Sequence, residues 1–252
     1  MLKRNTQDVE ARKRSRYLLI AATLGVFFFS MLPFSQYVLY PLRLFVTFVH
    51  ESGHAMAGTI TGGIVQGINI SPNGSGVTLI RASLPAQWII DPAGYLWAAL
   101  FGALLLQAGR FRGVGMGKVV LTFMSIYVLA VTIIWCHNPF ISGYFTPLAG
   151  VSISAILFLL AKFGSKGVTE FLAMFLAVQC SLNALNDLAT LVVITNQHMG
   201  DNDAVNMAHA TGIPAIAWAI IWVAMALTML FISFRSYWKA TSVKQTASAQ
   251  VG

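Results

Sequence analysis

The sequence predicts an all-α polytopic membrane protein with six to seven transmembrane helices and a small β-hairpin, and three observations support this fold class. Of the 252 residues, 57% are hydrophobic and only 10% are charged, whereas soluble domains carry roughly 25% charged residues. Apolar runs of about the 20 residues needed to cross a bilayer recur along the chain. Basic residues lie in the short connections between these runs. A soluble domain is excluded by the scarcity of charge, and a disordered chain by the abundance of hydrophobic residues.

Seven apolar segments are predicted in chain order. The first follows a basic tail, residues 1–16, and has no small-residue cleavage site, so we expect a retained anchor and not a removed signal peptide. The segments span about residues 17–38, 42–60, 88–108, 119–136, 147–161, 168–195 and 214–234. Residues 17–238 are expected to form one membrane domain, and residues 239–252 a disordered C-terminal tail.

A polar, glycine-rich stretch separates the second segment from the third. Within it, IVQGINIS and GVTLIRAS flank the turn-forming run Pro72-Asn73-Gly74-Ser75-Gly76. Two β-prone runs around a cluster of turn residues predict a β-hairpin.

The net charge of +8 is distributed as expected for a membrane protein. The basic residues crowd near the N-terminus, around residues 110–118 and 162–166, and in the C-terminal tail. This is the pattern of the positive-inside rule, and it argues against nucleic acid as a partner. Six crossings place both termini and every basic connection in the cytoplasm if the amphipathic segment 42–60 is re-entrant or incomplete, whereas seven crossings do not. We therefore expect a multi-pass protein of the cell (plasma) membrane.

The second segment contains His50-Glu51-Ser52-Gly53-His54, an H-E-x-x-H motif. Histidines four residues apart lie on one face of a helix, so both imidazoles can bind one zinc ion, while the glutamate can hold a water molecule as general base. A chance match on a polar helix face is the alternative. Ionisable residues inside a membrane segment are costly and are therefore expected to be functional, which favours Zn²⁺ bound by His50 and His54 with Glu51 as the base.

A catalytic zinc needs a third protein ligand, and the chain has only eight acidic residues. Apart from Glu51, Asp187 alone lies deep in an apolar run, since Asp203 and the others fall in tails, polar loops or segment ends. His54 and Asp187 lie roughly 9 and 12 Å from the corresponding ends of their segments at 1.5 Å per residue, so their depths match. The sequence therefore predicts Asp187 as the third ligand, with Asn183 and Asn186 near it as substrate-binding or supporting groups. The alternative is an interhelical hydrogen-bond cluster.

Three stretches together resemble the site-2 proteases, a family of intramembrane zinc metalloproteases, and most closely their M50B-like branch. They are HESGHA at 50–55, the glycine-rich GGIVQGINISPNGSGVT that follows, and NALNDL at 183–188. The resemblance implies zinc ligation by His50, His54 and Asp187, catalysis by Glu51, and a hairpin edge that holds an extended substrate. A structural hairpin that caps the helix bundle is the alternative for the last of these.

The predicted function is thus hydrolysis of peptide bonds in membrane-embedded or membrane-proximal proteins. The partners expected are a membrane protein substrate and the lipid bilayer, and the sequence does not indicate an oligomeric state. Two alternatives remain, a catalytically inactive scaffold or metal-binding protein of the same fold, and an ion transporter. The sequence does not show the repeated broken segments typical of transporters, which argues against the second alternative.

Overall fold

The computed structural model describes residues 2–108, 115–196 and 202–241. The chain begins with helix α1 (Leu2–Met31), which ends just before Pro33 and is followed by the short helix α2 (Ser35–Val38). Helix α3 (Tyr40–Ile60) carries the H-E-x-x-H motif and begins with Pro41 in its first turn. Proline fits this position because the first amides of a helix have no intrahelical partner.

The predicted hairpin is present as two antiparallel strands, β1 (Ile64–Ile70) and β2 (Gly76–Arg81). The turn between them is closed by Asn73, whose Oδ1 accepts a hydrogen bond from the Ser75 amide at 2.9 Å. Gly74 adopts φ +85° in this turn, a conformation that glycine reaches without steric cost.

Seven further helices follow. They are α4 (Leu84–Ala108), α5 (Met116–Trp135), α6 (Pro139–Ser142), α7 (Phe145–Phe163), α8 (Lys166–Asn196), α9 (Asp203–Thr211) and α10 (Ala215–Thr241). Helix α9 is short and capped at both ends: the Asn202 side chain accepts from the Val205 amide at 3.1 Å, and Gly212 closes the helix with φ +75°. Caps of this kind satisfy terminal groups that a nine-residue helix cannot satisfy itself.

Within the part of the chain that the structure describes, five helices are long and apolar enough to cross a membrane: α4, α5, α7, α8 up to Thr195, and α10 up to Ala240. A shorter apolar stretch, Arg16–Phe29, lies in α1. Helix α3 is not among the five. The predicted all-α polytopic fold with a small hairpin is confirmed, while the orientation in the membrane stays a prediction. Helix α10 continues to Thr241, and the rest of the predicted C-terminal tail lies outside the described residues.

Helix α3 packs closely against α4, and this contact positions the motif. A Cβ added to Gly53 would lie 2.6 Å from the Ala93 carbonyl oxygen and 2.8 Å from the Trp97 Cβ, so only glycine allows the two backbones to approach this far. Close approach through small residues is the usual way in which membrane helices pack. The motif histidines thereby face α4 directly.

The hairpin packs against α3, and the α6–α7 region covers its outer β1 edge. Strand β1 is held by the α6–α7 region, where the Asn69 Nδ2 donates to the Ile141 carbonyl at 2.6 Å and the Ile70 amide donates to Thr146 Oγ1 at 2.8 Å. Strand β2 pairs with β1 alone in the described sheet. The free edge of the hairpin is therefore the β2 edge.

Candidate metal centre

The two motif histidines meet at their Nε2 atoms. His50 and His54 lie one turn apart on α3, and their Nε2 atoms are 3.1 Å apart. The Nδ1 of His54 lies 2.7 Å from the Ile90 carbonyl oxygen. Because a carbonyl can only accept, Nδ1 carries the proton and Nε2 keeps its lone pair for a metal.

A third candidate ligand lies on α9. The Oδ2 of Asp203 lies 3.7 Å from the His54 Nε2, and His50, His54 and Asp203 offer three ligand atoms that all lie within 4.8 Å of one another. Nitrogen and oxygen ligands of a tetrahedral zinc, at about 2.0–2.2 Å from the ion, lie about 3.3 Å from each other. The two distances that involve His54, 3.1 and 3.7 Å, bracket this value, and the third pair lies within 4.8 Å, so the donor set fits such an ion.

Gly94 on α4 lines the space beside the two imidazoles. A Cβ added there would lie 2.3 Å from the His54 Nε2 and 2.5 Å from the His50 Nε2. Any side chain at this position would occupy the side of the histidines from which a ligand can approach. The glycine thus leaves space beside the two Nε2 atoms.

Glu51 is buried, with 5% of its surface exposed, and the hairpin fixes its carboxylate. Its Oε2 accepts a hydrogen bond from the Thr78 hydroxyl at 2.6 Å. Strand β2 passes over the carboxylate at Gly76, where an added Cβ would lie 2.6 Å from the Glu51 Oε1. The strand, the glutamate and the histidines therefore form one continuous surface.

Burial raises the pKa of the Asp203 carboxyl, and two neighbours oppose this effect. His54 lowers the pKa by its charge when its imidazole is protonated, and the nearby Tyr95 hydroxyl lowers it as a hydrogen-bond donor. Both contacts favour the ionised form, which is the form that binds a metal.

Two cavities meet at the motif and share His50, Glu51, Gly76 and Tyr95. The Asp203 cavity, of about 660 Å³, also contains His54, Asp91 and His209. The second cavity has a volume of about 580 Å³ and is lined by Asp187, so we name it the Asp187 cavity.

The residues predicted near the third ligand line the Asp187 cavity. Asp187 and Asn183 are half-buried there and Asn186 is exposed, and the same cavity contains Arg43, His50 and Glu51. Asp187 is not a member of the metal-ligand group found among the described residues. The structure thus brings Asp187 to the same site as the histidines but places the Asp203 carboxylate nearer to their Nε2 atoms.

Asp91 is a further acid at the site. It is 7% exposed in α4, and its Oδ2 has no hydrogen-bond partner among the described residues. Of the other polar residues in the 196–212 connection, His209 lines the Asp203 cavity, whereas His198 and Asp201 lie outside the described residues.

Comparison with known proteins gives one match. The family model described as "Peptidase M50B-like" matches residues 18–233, which include α3, the hairpin, α8 and α9. No curated protein and no solved structure is significantly similar to the chain.

Proposed function

Because the chain belongs to the M50B-like peptidases, which are membrane metallopeptidases, we propose that it is a site-2-type intramembrane protease that uses zinc and a glutamate base. The observation that carries this proposal is the convergence of His50, His54 and Asp203 beside Glu51. Two imidazoles and a carboxylate form a donor set typical of catalytic zinc, with one position open for water. The ion-transporter alternative does not account for a glutamate held next to such a set.

Zinc bound by this set would polarise the scissile carbonyl and acidify a water molecule. Glu51 accepts the proton of the attacking water and later passes it to the leaving amine nitrogen. The Thr78 hydroxyl, at 2.6 Å from the Glu51 Oε2, holds the carboxylate in place during this transfer.

The substrate is a membrane-embedded or membrane-proximal protein that binds in extended form. Strand β2 has a free edge, and Gly76, Val77 and Thr78 line the Asp203 cavity. An extended segment can pair with such an edge through main-chain hydrogen bonds. Asn183 and Asn186 line the Asp187 cavity and are suited to bind the substrate backbone there. We place the protein in the cell (plasma) membrane.

The sequence pattern and the geometry favour different residues as the third zinc ligand. Asp187 is the choice of the sequence pattern, and Asp203 is the carboxylate grouped with the histidines. We propose Asp203 as the ligand and Asp187 as a polar group of the neighbouring cavity. Asp187 is the alternative that the following experiment distinguishes.

Asp203→Ala is expected to lower zinc affinity by orders of magnitude, whereas Asp187→Ala keeps zinc bound. Loss of one of three protein ligands leaves two imidazoles, which hold zinc weakly. The measurement is zinc content and chelator competition on the full-length protein purified in detergent. Asp91→Ala serves as the matched control, because Asp91 lines the same cavity without belonging to the ligand group. The reverse result, with zinc lost only in Asp187→Ala, would assign the third ligand to Asp187.

A further inference from the structure

Tyr95 contacts two of the three candidate zinc ligands. It follows Gly94 on α4 and lines the Asp203 cavity together with Asp203, and its hydroxyl lies close enough to the Asp203 carboxylate to lower the pKa of that carboxyl as a hydrogen-bond donor. Its ring packs edge-on against the His50 imidazole, with ring centroids 4.6 Å apart. One side chain of α4 therefore connects a ligand on α3 with a ligand on α9.

The ring of Tyr95 is itself held in place. It stacks on Trp222 of α10, with ring centroids 5.9 Å apart and an interplanar angle of 24°, and Trp222 is 1% exposed. The hydroxyl is thus presented from a packed aromatic pair. A donor fixed in this way can orient its acceptor without itself losing much conformational freedom.

Asp203 needs such a donor more than the histidines do. His50 and His54 lie on the long, closely packed helix α3, whereas Asp203 is the first residue of the nine-residue helix α9. A carboxylate that binds zinc through one oxygen usually has a hydrogen-bond partner that fixes its orientation, and loss of such a partner costs 10- to 100-fold in metal affinity. Tyr95 can provide this partner.

We propose that Tyr95 is a positioning residue whose hydroxyl donates to Asp203 and holds this carboxylate in the orientation that completes the zinc site. The inference rests on the proposed function, because it takes Asp203 as the third ligand. It concerns the affinity for the metal and involves no direct contact between Tyr95 and the reacting atoms.

Tyr95→Phe tests this role, since it removes the hydroxyl and keeps the ring that packs on His50 and Trp222. We expect zinc affinity, measured by chelator competition on the full-length protein in detergent, to fall about 10- to 100-fold. Tyr127→Phe is the matched control. It removes another half-buried tyrosine hydroxyl, which accepts from the Trp97 Nε1 at 2.8 Å and bonds Ser52, outside the ligand group. Zinc affinity should be unchanged in this control.

A double-mutant cycle with Asp203→Asn shows whether Tyr95 acts through Asp203. If it does, adding Tyr95→Phe to Asp203→Asn causes little further loss of zinc affinity, because the two changes affect one interaction. Unchanged affinity in Tyr95→Phe, or losses that simply add, would overturn the inference. So would metal-free unfolding of Tyr95→Phe under conditions in which Tyr127→Phe stays folded, since the hydroxyl would then be structural. Parental zinc affinity in Asp203→Asn would instead count against Asp203 as the ligand.

Discussion

Glu51→Gln is expected to give a protein that binds zinc and cleaves no substrate. Glutamine has nearly the same shape and can still bond to Thr78, but it cannot accept the proton of the attacking water. Loss of a general base typically costs about 10²–10⁴-fold in rate. The measurement pairs zinc content of the purified protein with mass spectrometry of new protein N-termini in membranes from cells that express the parent or the variant.

Glu170→Gln is the control for Glu51→Gln. Glu170 lies on α8 and pairs with Arg14 at 2.8 Å, so this change removes a glutamate charge outside both cavities at the motif. The new N-termini should persist in Glu170→Gln and disappear in Glu51→Gln. Identical N-termini in Glu51→Gln and the parent would contradict the role of Glu51, and the inactive scaffold would be favoured if neither the parent nor the variant produced any.

The parts of the fold that follow from local patterns were predictable from the sequence. The β-prone runs around Asn73-Gly74 correspond to β1 and β2, because alternation and turn chemistry are encoded within a few residues. The apolar segments likewise correspond to the long helices. The segment 17–38 differs, since Met31 ends α1 and a short second helix precedes Leu39. Pro33 explains this break, because proline cannot continue the hydrogen bonding of a helix interior.

Hydropathy places Asp203 in a polar loop, whereas the structure has it as the first residue of helix α9. A short helix at the edge of a bundle has too few apolar residues to stand out, although Ala204 and Met207 are buried. Asn202 before the helix and Gly212 after it are typical cap residues. They are the sequence signal from which this short helix can be predicted. Proximity of Asp203 to His54 depends on how α9 packs against α4 and α10, which no local pattern encodes.

A role for Tyr95 at the metal site could not be predicted from the sequence, for a related reason. A tyrosine in an apolar run is usually interpreted as an aromatic residue at the membrane interface. Its role depends on the side chains that converge on it from α3, α9 and α10. Gly94 beside it is equally inconspicuous, yet it makes room for the imidazoles.

Gly94→Ala is expected to abolish zinc binding while the helices still form. The new Cβ would lie 2.3 and 2.5 Å from the Nε2 atoms of His54 and His50, far inside van der Waals contact. The imidazoles would have to rotate away, and His54 would then lose the hydrogen bond that its Nδ1 makes with the Ile90 carbonyl. Zinc content and protease activity should fall together, and the circular dichroism spectrum should remain helical.

Gly102→Ala separates this effect from general strain in α4. Gly102 lies two turns further along the same helix, where an added Cβ would lie 2.6 Å from the Ser181 Oγ and 2.9 Å from the Ser181 amide nitrogen. This variant should lose thermal stability, because overpacking typically costs 1–3 kcal/mol, and it should keep its zinc. The two variants are thus expected to differ. Gly94→Ala should lose the metal, whereas Gly102→Ala should lose stability and retain the metal. Full zinc occupancy in Gly94→Ala would mean that the metal does not bind on the α4-facing side of the two histidines.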